Sequence, residues 1–226
     1  MLDCDHLINK QTKLRRMLLM GADEAGKGPV VGSMFVAGLV IDEERLFDLA
    51  AFGVRDSKQL APAKREILAK KIMRIATDHY ILEVPPQIID ELRGVMTMND
   101  IMVRSFSQVV AKLHAHRAIL DAADVDAARF AARVRSASET KMELIAEHKA
   151  DERHQIVSAA SILAKVRRDA SMRELEAQLG CKIGSGYPHD KDTLNFLADW
   201  LKEKHDLPPC ARHSWATAQR IKASFI

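Results

Sequence analysis

Apolar residues along the chain follow two spacings, one typical of strands and one typical of helices. Short apolar runs predict strands at residues 17–22, 30–41, 80–84, 117–120 and 142–146, the first two adjacent and antiparallel. Apolar residues three and four positions apart predict helices at about residues 43–51, 99–113, 127–134, 156–179 and 193–202. Prolines predict the start of two more helices, one with Pro62 near its first position and a short one opened by Pro85 and Pro86. Because strands and helices alternate along most of the chain, the pattern indicates an α/β fold.

An acidic pair inside a glycine-rich segment is the strongest chemical signal in the sequence. The segment reads Gly21-Ala22-Asp23-Glu24-Ala25-Gly26-Lys27-Gly28-Pro29 and follows the first apolar run directly. Its small residues leave room for a bulky polyanion to approach the backbone. Its paired carboxylates offer the oxygen ligands that hard divalent cations prefer. Together these features predict metal-assisted phosphodiester chemistry.

The same segment resembles a nucleotide-binding P-loop in spacing only, with Gly21, Gly26 and Lys27 placed as in G-x-x-x-x-G-K. In a P-loop, the lysine is followed by a Ser or Thr that holds magnesium and by a helix whose first amides bind phosphate. Here Gly28 and Pro29 follow instead. The sequence therefore disfavours a nucleoside triphosphatase.

Both carboxylates of the pair have to reach the same cation. Consecutive strand residues face opposite sides of a sheet, so Asp23 and Glu24 are expected to converge only if the glycine turn breaks the regularity of the strand. The alternative is a pair of strand-end carboxylates bonded to turn amides.

Further acidic residues end later predicted strands, because the strand at 117–120 ends at Asp121 and the strand at 142–146 runs on to Asp151. In open α/β sheets, active sites gather beyond the carboxyl ends of strands, so Asp121 and Asp151 are expected to converge with the acidic pair. Four carboxylates suffice for one or two Mg²⁺ or Mn²⁺ ions. Two such ions roughly 3.5–4 Å apart can activate a water and stabilise the departing oxygen.

Spacing alone leaves alternatives at both positions. Asp121, Asp124 and Asp126 lie so close together that one could bind metal, one could cap the next helix and one could face water. Asp151 could instead pair with Lys149 or Arg153 at the surface.

Composition and charge are those of a globular protein and permit a nucleic-acid partner. The 226 residues are 47% hydrophobic, and the formal net charge is +3. Two basic clusters are more informative: Lys64, Arg65, Lys70, Lys71 and Arg74, and then Lys149, Arg153, Lys165, Arg167, Arg168 and Arg173. Either could track a phosphate backbone, although a solvated helix face explains the first equally well.

The remaining composition predicts an intracellular location. Cys4, Cys181 and Cys210 are odd in number and widely separated, which indicates reduced cysteines rather than a disulfide framework or a zinc site. Because no apolar run has membrane-spanning length and the N-terminal segment lacks a signal-peptide core, we expect a cytoplasmic protein without a membrane partner. Residues 1–15 are expected to form an extension ahead of the fold.

A series of motifs stands in order along the chain: the acidic glycine-rich segment, Asp56-Ser57-Lys58, Leu120-Asp121-Ala122-Ala123-Asp124, Glu147-His148-Lys149-Ala150-Asp151, the run from Ser158 to Val166, and Gly184-Ser185-Gly186-Tyr187-Pro188. This series resembles the ribonuclease HII family in its archaeal form. The resemblance extends from about residue 18 through Arg212-His213-Ser214-Trp215 and beyond.

The resemblance implies a ribonuclease H-like mixed sheet flanked by helices, with residues 16–183 as the catalytic domain and residues 184–226 as a small helical C-terminal lobe. It implies an endonuclease that cleaves RNA in RNA/DNA hybrids and single ribonucleotides embedded in duplex DNA, and we expect the protein to be a monomer. Cleavage would fall on the 5′ side of a ribonucleotide and leave 3′-hydroxyl and 5′-phosphate ends.

The resemblance also assigns roles to residues of this chain. Asp23, Glu24, Asp121 and Asp151 match the family's catalytic, metal-binding carboxylates, which selects Asp121 over Asp124. His154-Gln155 stands where archaeal relatives often have an aromatic-proline step, and we assign His154 no catalytic role.

Substrate contacts are implied in the same way. Gly26-Lys27-Gly28 matches a glycine-basic-glycine turn whose main chain reads the ribose 2′-hydroxyl, with lysine where many relatives have arginine. Tyr187 matches a tyrosine that abuts the following sugar, and the alternative for it is a buried turn aromatic. Lys58, Lys165 and Arg168 are expected to contact phosphates.

The C-terminal residues 219–226 partly resemble the tail motif that docks proteins on the sliding clamp. Lys222 stands where that motif needs an apolar residue, so an ordinary helix end is the favoured interpretation. Among functions of another class, the main rival to a nuclease is a module that binds RNA/DNA hybrid without cleaving it.

Overall fold

The computed structural model of the chain describes residues 17–54 and 60–224. The predicted N-terminal extension at residues 1–15, the Asp56-Ser57-Lys58 motif and residues 225–226 of the clamp-like tail lie outside the described residues. Cys181 and Cys210 are free cysteines, whereas Cys4 lies outside the described part.

A five-stranded mixed sheet forms the centre of the structure. Its strands are β1 (Leu18–Ala25), β2 (Met34–Asp42), β3 (Asp78–Val84), β4 (Arg117–Asp121) and β5 (Glu143–Glu147), in the spatial order β3-β2-β1-β4-β5. β1 and β2 are antiparallel, as are β2 and β3, whereas β4 lies parallel to β1 and β5 parallel to β4. The predicted antiparallel first pair and the mixed sheet are confirmed.

Helices connect and flank these strands. They are α1 (Leu46–Phe52), after a 3₁₀ turn at Glu43–Arg45, α2 (Pro62–Ile75), α3 (Pro86–Arg93), α4 (Met98–Lys112), α5 (Ala127–Ser138), α6 (Ala150–Arg153), α7 (Gln155–Leu179), α8 (Lys191–Lys204) and α9 (Ala216–Ala223). Proline begins α2 and α3 because the first helical residue needs no amide donor. None of the helices in the described ranges is long and apolar enough to span a bilayer.

Two hydrophobic clusters cover the two faces of the sheet. Helices α4 and α5 pack on one face, where the rings of Phe106 and Phe130 meet edge to face at 5.2 Å. Helices α1, α2 and α7 pack on the other. Successive residues of β2 alternate between the clusters, since Val36 points to the first and Ala37 to the second. The predicted flanking of the sheet by helices is therefore confirmed.

The first half of α7 packs directly against β1 because Gly21 has no side chain. A Cβ atom on Gly21 would lie 2.5 Å from both the carbonyl carbon and the carbonyl oxygen of Ile156. Residues 156–164 of α7 are all buried. This close approach places the buried hydroxyl of Ser161 beside the acidic end of β1.

A third hydrophobic cluster joins the segment after the glycine turn to the C-terminal helices. Val30 and Val31 pack with Phe196 of α8, and their amides donate to the carbonyl of Gly186 at 2.8 and 3.2 Å. Because these amides bond outside the sheet, β2 begins at Met34 and not at residue 30 as predicted. The cluster draws on residues from both sides of position 184, so the predicted domain boundary there stays a prediction.

Candidate active site

The pairing of two parallel strands brings Asp23 and Asp121 together. Ala22 of β1 is in register with Leu120 of β4, so the next residue of each strand, Asp23 or Asp121, lies at the same carboxyl edge of the sheet. One carboxylate oxygen from each of Asp23, Glu24 and Asp121 lies within 4.8 Å of the others. Three of the predicted site residues thus form one carboxylate cluster.

Glu24 joins the cluster although the strand stays regular at its position. The expectation that the glycine turn breaks the regularity of the strand at the acidic pair is wrong, because β1 continues to Ala25 and pairs with β2 at both acidic residues. Glu24 is the penultimate residue of the strand, where its longer side chain can bring the carboxylate around the sheet edge. The Glu24 amide also donates to Asp23 Oδ1 at 2.7 Å, the kind of bond expected of a strand-end carboxylate.

Burial and mutual repulsion favour protons on these carboxyls when no cation is bound. The pKa of Asp23 is raised to about 7, first by burial and then by the negative charge of Asp121, with a smaller contribution from Asp151. The Ser161 hydroxyl and the Glu24 amide lower it. The pKa of Glu24 is also well above its ordinary value, because of burial and then the charges of Asp23 and Asp121.

The donor atoms of the cluster fit a divalent metal ion. Its carboxylates offer only oxygen, the ligand type preferred by Mg²⁺ and Mn²⁺. Glu24 Oε2 is buried and accepts no hydrogen bond from any described residue, so a cation would give this atom a partner. A positive ion would also offset the repulsion that raises both pKa values.

Asp151 lies in the first turn of α6 and not at the end of a strand as predicted. β5 ends at Glu147, and Lys149, with φ of 56°, turns the chain into the helix. Asp151 is only 6% exposed, which excludes the exposed surface arrangement that was its alternative. The Ala150 amide donates to Asp121 Oδ1 at 2.7 Å, so α6 is fixed beside the cluster. The Asp151 carboxylate is not among the three that lie within 4.8 Å of one another.

The two neighbours of Asp121 have other contacts. Asp126 caps α5 by accepting the Arg129 amide at 2.9 Å. Asp124 is buried and pairs with the Arg129 guanidinium at 2.6 Å, which holds the pKa of this carboxyl below its ordinary value. Of the three aspartates that spacing left open, only Asp121 belongs to the carboxylate cluster.

The Gly26-Lys27-Gly28 turn follows β1 directly and adjoins the cluster. Gly26 has φ of 86°, and a Cβ atom there would lie 2.9 Å from the carbonyl oxygen of Ser33, so only glycine fits. Lys27 Nζ donates to the carbonyl of Ala123 at 2.8 Å, which links the turn to the segment after Asp121.

Tyr187 stands next to the turn and is half-buried, so it is not the fully buried aromatic of the alternative interpretation. A Cβ atom on Gly28 would meet Tyr187 Cε1 at 3.8 Å. The Arg168 guanidinium lies 5.0 Å from the centroid of the tyrosine ring and donates to the carbonyl of Ser185. Arg168 is itself buried and holds the segment that carries Tyr187.

The basic residues divide into exposed and paired ones. On α2, Lys64, Lys70, Lys71 and Arg74 are exposed, whereas Arg65 pairs with Asp169 of α7 at 2.6 Å. In the second cluster, Arg153 pairs with Glu147, Arg167 with Glu83 and Glu174, and Arg173 with Glu66. Lys165 is half-buried, one turn after Ser161 on α7. The exposed face of α2 is therefore the stronger candidate surface for phosphates.

Three residues near the site received no role from the sequence. Ser161 lies close enough to Asp23 to lower its pKa. Arg212 and Trp215 bond to carbonyl groups of the glycine turn. All three occur in the motifs that carry the family resemblance, and no other signal in the sequence points to them, since spacing along the chain gives no distance in space.

Comparison with known proteins gives consistent matches. A family model described as Ribonuclease HII matches residues 20–218. The ribonuclease HII of Methanothrix thermoacetophila is 59% identical over 210 residues, covering 93% of this chain and 100% of that protein. The crystal structure of ribonuclease H2 from Pyrococcus horikoshii OT3 has a TM-score of 0.87 at 41% identity, covering 92% of this chain and 99% of that one. A chain of the PCNA:RNase HII complex from Archaeoglobus fulgidus has a TM-score of 0.80 at 36% identity, covering 88% and 95%.

The matched range includes the carboxylate cluster, the glycine turn and the segment that carries Arg212 and Trp215. The two archaeal structures share the fold over most of their length. The chain therefore belongs to the ribonuclease HII family, whose members are hydrolytic endonucleases with ribonuclease H activity on RNA paired with DNA.

Proposed function

We propose that the chain cleaves the RNA strand of RNA/DNA hybrids and also single ribonucleotides embedded in duplex DNA. Cleavage falls on the 5′ side of a ribonucleotide and leaves 3′-hydroxyl and 5′-phosphate ends. The observation that carries the proposal is the carboxylate cluster of Asp23, Glu24 and Asp121, with oxygens within 4.8 Å, directly before a turn with glycine at both ends. Hydrolysis beside a ribose needs both a cation site and a backbone that can approach the sugar.

Asp23, Glu24, Asp121 and Asp151 would hold Mg²⁺ or Mn²⁺. Ions held there would supply Lewis-acid chemistry, which polarises a scissile phosphate and lowers the pKa of an attacking water. The chain's own contribution is carboxylate charge at fixed positions, since the Glu24 amide fixes Asp23 and the Ala150 amide fixes Asp121. Because the pKa values of Asp23 and Glu24 are raised, these groups release protons when a cation binds.

The Gly26-Lys27-Gly28 turn would read the ribose 2′-hydroxyl through its main chain. This hydroxyl is the group that distinguishes a ribonucleotide from a deoxyribonucleotide. Glycine on both sides of Lys27 removes the side chains that would keep a sugar away. Tyr187, which adjoins Gly28, would contact the sugar that follows.

Phosphate contacts would come from the exposed face of α2, from Lys165 and from Lys58, which lies outside the described residues. Arg168 is also a proposed phosphate contact, and its bond to Ser185 makes it a support for the segment that carries Tyr187.

A hybrid-binding module without nuclease activity is the alternative from another class. Phosphates are bound by cationic side chains, hydroxyl groups and backbone amides, and such binding gains nothing from buried carboxylates. Asp23 is only 5% exposed, and burial of its carboxylate destabilises the charged form. A surface that only binds duplex gains nothing in return for this destabilisation, so the buried acid favours the nuclease.

The deciding test is incubation of an end-labelled duplex that bears one ribonucleotide with the chain and Mg²⁺. We expect a single incision on the 5′ side, with a 3′ end that a DNA polymerase extends directly. Asp23→Asn and Asp121→Asn should abolish incision while binding of the duplex largely survives, because a carboxylate ligand is lost without loss of the fold.

Asp126→Asn is the matched control, since it lies in the same segment as Asp121 and asparagine caps a helix as well as aspartate does. This variant should cleave at the native rate. Binding without incision in both Mg²⁺ and Mn²⁺ would contradict the proposal and favour the binding module.

We further propose docking on a sliding clamp through the C-terminal tail, since the related Archaeoglobus fulgidus protein forms a PCNA:RNase HII complex. Helix α9 contains most of the clamp-like segment, and Ile221 packs against the third hydrophobic cluster. The test compares clamp affinity with and without residues 219–226, using cleavage activity to show that the shortened chain is folded. If the chain without residues 219–226 binds the clamp as tightly as the full chain, the proposal is wrong.

A further inference from the structure

The carbonyl groups of the glycine turn are all bonded to side chains from one C-terminal segment. Arg212 is fully buried. Its Nη2 atom donates to the carbonyl of Gly26 at 2.6 Å, its Nη1 atom to that of Lys27 at 2.9 Å, and its Nε atom to that of Gly32 at 3.0 Å. The Trp215 indole Nε1 donates to the carbonyl of Gly28 at 3.2 Å.

These two side chains form one unit. The Arg212 guanidinium lies 4.8 Å from the centroid of the Trp215 ring. Asp90 of α3 fixes the segment between them by accepting the amides of His213 and Ser214 at 2.7 and 2.9 Å. Asp90 thus anchors the segment that carries the pair to α3.

The orientation of the carbonyls determines the orientation of the amides. In a trans peptide, the C=O and the following N–H point in opposite directions, and no cis peptide occurs among the described residues. When the carbonyls of Gly26 and Lys27 point inward to Arg212, the amides of Lys27 and Gly28 point outward. Two N–H donors therefore point away from Arg212, to the side on which the proposed function places the ribose.

Lysine could not perform the same task. The planar guanidinium bonds three carbonyls at once, whereas an ammonium group presents no such fork. Burial, and next the charge of Arg168, lower the pKa of Arg212 to about 10, so the side chain is held in place at a desolvation cost.

We propose that Arg212 and Trp215 are positioning residues for substrate discrimination. Arg212 aims the Lys27 and Gly28 amides at the ribose 2′-hydroxyl by bonding the carbonyls of Gly26 and Lys27. Trp215 holds the end of the same turn through the carbonyl of Gly28, which is followed by Pro29 and so has no amide of its own to aim. The inference rests on the proposed function, because it concerns how the same turn selects a ribonucleotide. It predicts that damage to the pair reduces preference for a ribonucleotide more than it reduces affinity for duplex.

The test measures affinity by fluorescence anisotropy in Mg²⁺ for a duplex with one ribonucleotide and for its all-DNA twin. All chains carry Asp121→Asn, so that the labelled duplex stays intact. Trp215→Phe, which keeps an aromatic ring but removes the indole donor, and Arg212→Lys should each lower the ratio of the two affinities by about three- to tenfold, with affinity for all-DNA duplex unchanged. Trp200→Phe on α8 is the matched control and should leave the ratio unchanged.

An unchanged ratio in Trp215→Phe and Arg212→Lys, with thermal melting confirming folded chains, would overturn the inference. Equal loss of affinity for both duplexes would overturn it as well, because that result indicates a merely structural role. If the Asp121→Asn chain itself shows no preference and the native chain makes no incision, the proposed function fails and this inference fails with it.

Discussion

Asp23 illustrates at the scale of one residue how the site depends on a bound cation. Burial and the charge of Asp121 raise its pKa to about 7, from an ordinary value of 3.8. Between these two pH values, the folded chain keeps a proton that the unfolded chain releases. The contribution of Asp23 to stability is therefore greatest at low pH and is lost as the pH rises through about 7.

We expect the free energy of unfolding of the metal-free native chain to fall between pH 5 and pH 8. The fall should exceed that of the Asp23→Asn variant by up to about 3 kcal/mol, because the asparagine side chain at position 23 stays neutral at every pH. Urea unfolding in EDTA measures the difference. Asp190, whose pKa is lowered to about 2, titrates below this window. Mg²⁺ at pH 8 should stabilise the native chain more than the variant, and equal pH dependence in the two chains would contradict the assignment.

At the scale of secondary-structure elements, the contact between β1 and α7 positions the site. Gly21 allows the helix backbone to approach the strand, and the same helix carries Ser161, Lys165 and Arg168 past the acidic residues. A side chain at Gly21 would meet backbone atoms, which cannot rotate away as a flexible side chain can. The short distance between β1 and α7 therefore depends on the absence of a Cβ atom at Gly21.

Gly21→Ala is expected to destabilise the fold by about 2–4 kcal/mol, because the added Cβ forces strand and helix apart. Gly180→Ala is the control: its Cβ would meet nothing within 4 Å, so only the positive φ of 65° opposes it, at about 1 kcal/mol. Urea unfolding measures both. Equally small losses in the free energy of unfolding of the two variants would contradict the prediction, because they would show that α7 moves away from β1 at little cost.

At the scale of the whole molecule, the start of α2 and the C-terminal segment both lie near the glycine turn. Arg65 ties α2 to Asp169 of α7, next to Arg168, which brings the start of the exposed α2 face toward the glycine turn. The C-terminal segment that carries Arg212 contacts the same turn through hydrogen bonds to its carbonyl groups.

Lys64→Ala should weaken binding of all-DNA and ribonucleotide-bearing duplexes by the same factor and reduce the salt slope of binding by up to about 1, because a phosphate contact carries no sugar selectivity. Lys141→Ala is the control, since Lys141 is exposed at the amino end of β5, away from the carboxyl edge. Affinity titrations at several salt concentrations measure the slope. A selective loss for one duplex would contradict this role for α2.

The order and type of the elements were predictable from the sequence, because periodicity, prolines and glycines act over a few residues. Proline starts α2 and α3 where predicted, and Gly53 and Gly180 follow α1 and α7 in left-handed conformations. The candidate carboxylates at positions 23, 24 and 121 and the glycine turn were likewise named from local motifs. The family match also follows from sequence alone.

Only the tertiary structure decided what each of these groups touches. The bond from the Ala150 amide to Asp121, the approach of Ser161 to Asp23 and the bonds from Arg212 to the glycine turn all depend on contacts between segments. Such contacts arise from strand register and from how closely helices pack on the sheet, which no local pattern of residue types encodes. Local chemistry thus selected the candidate groups, and packing determined which of them meet.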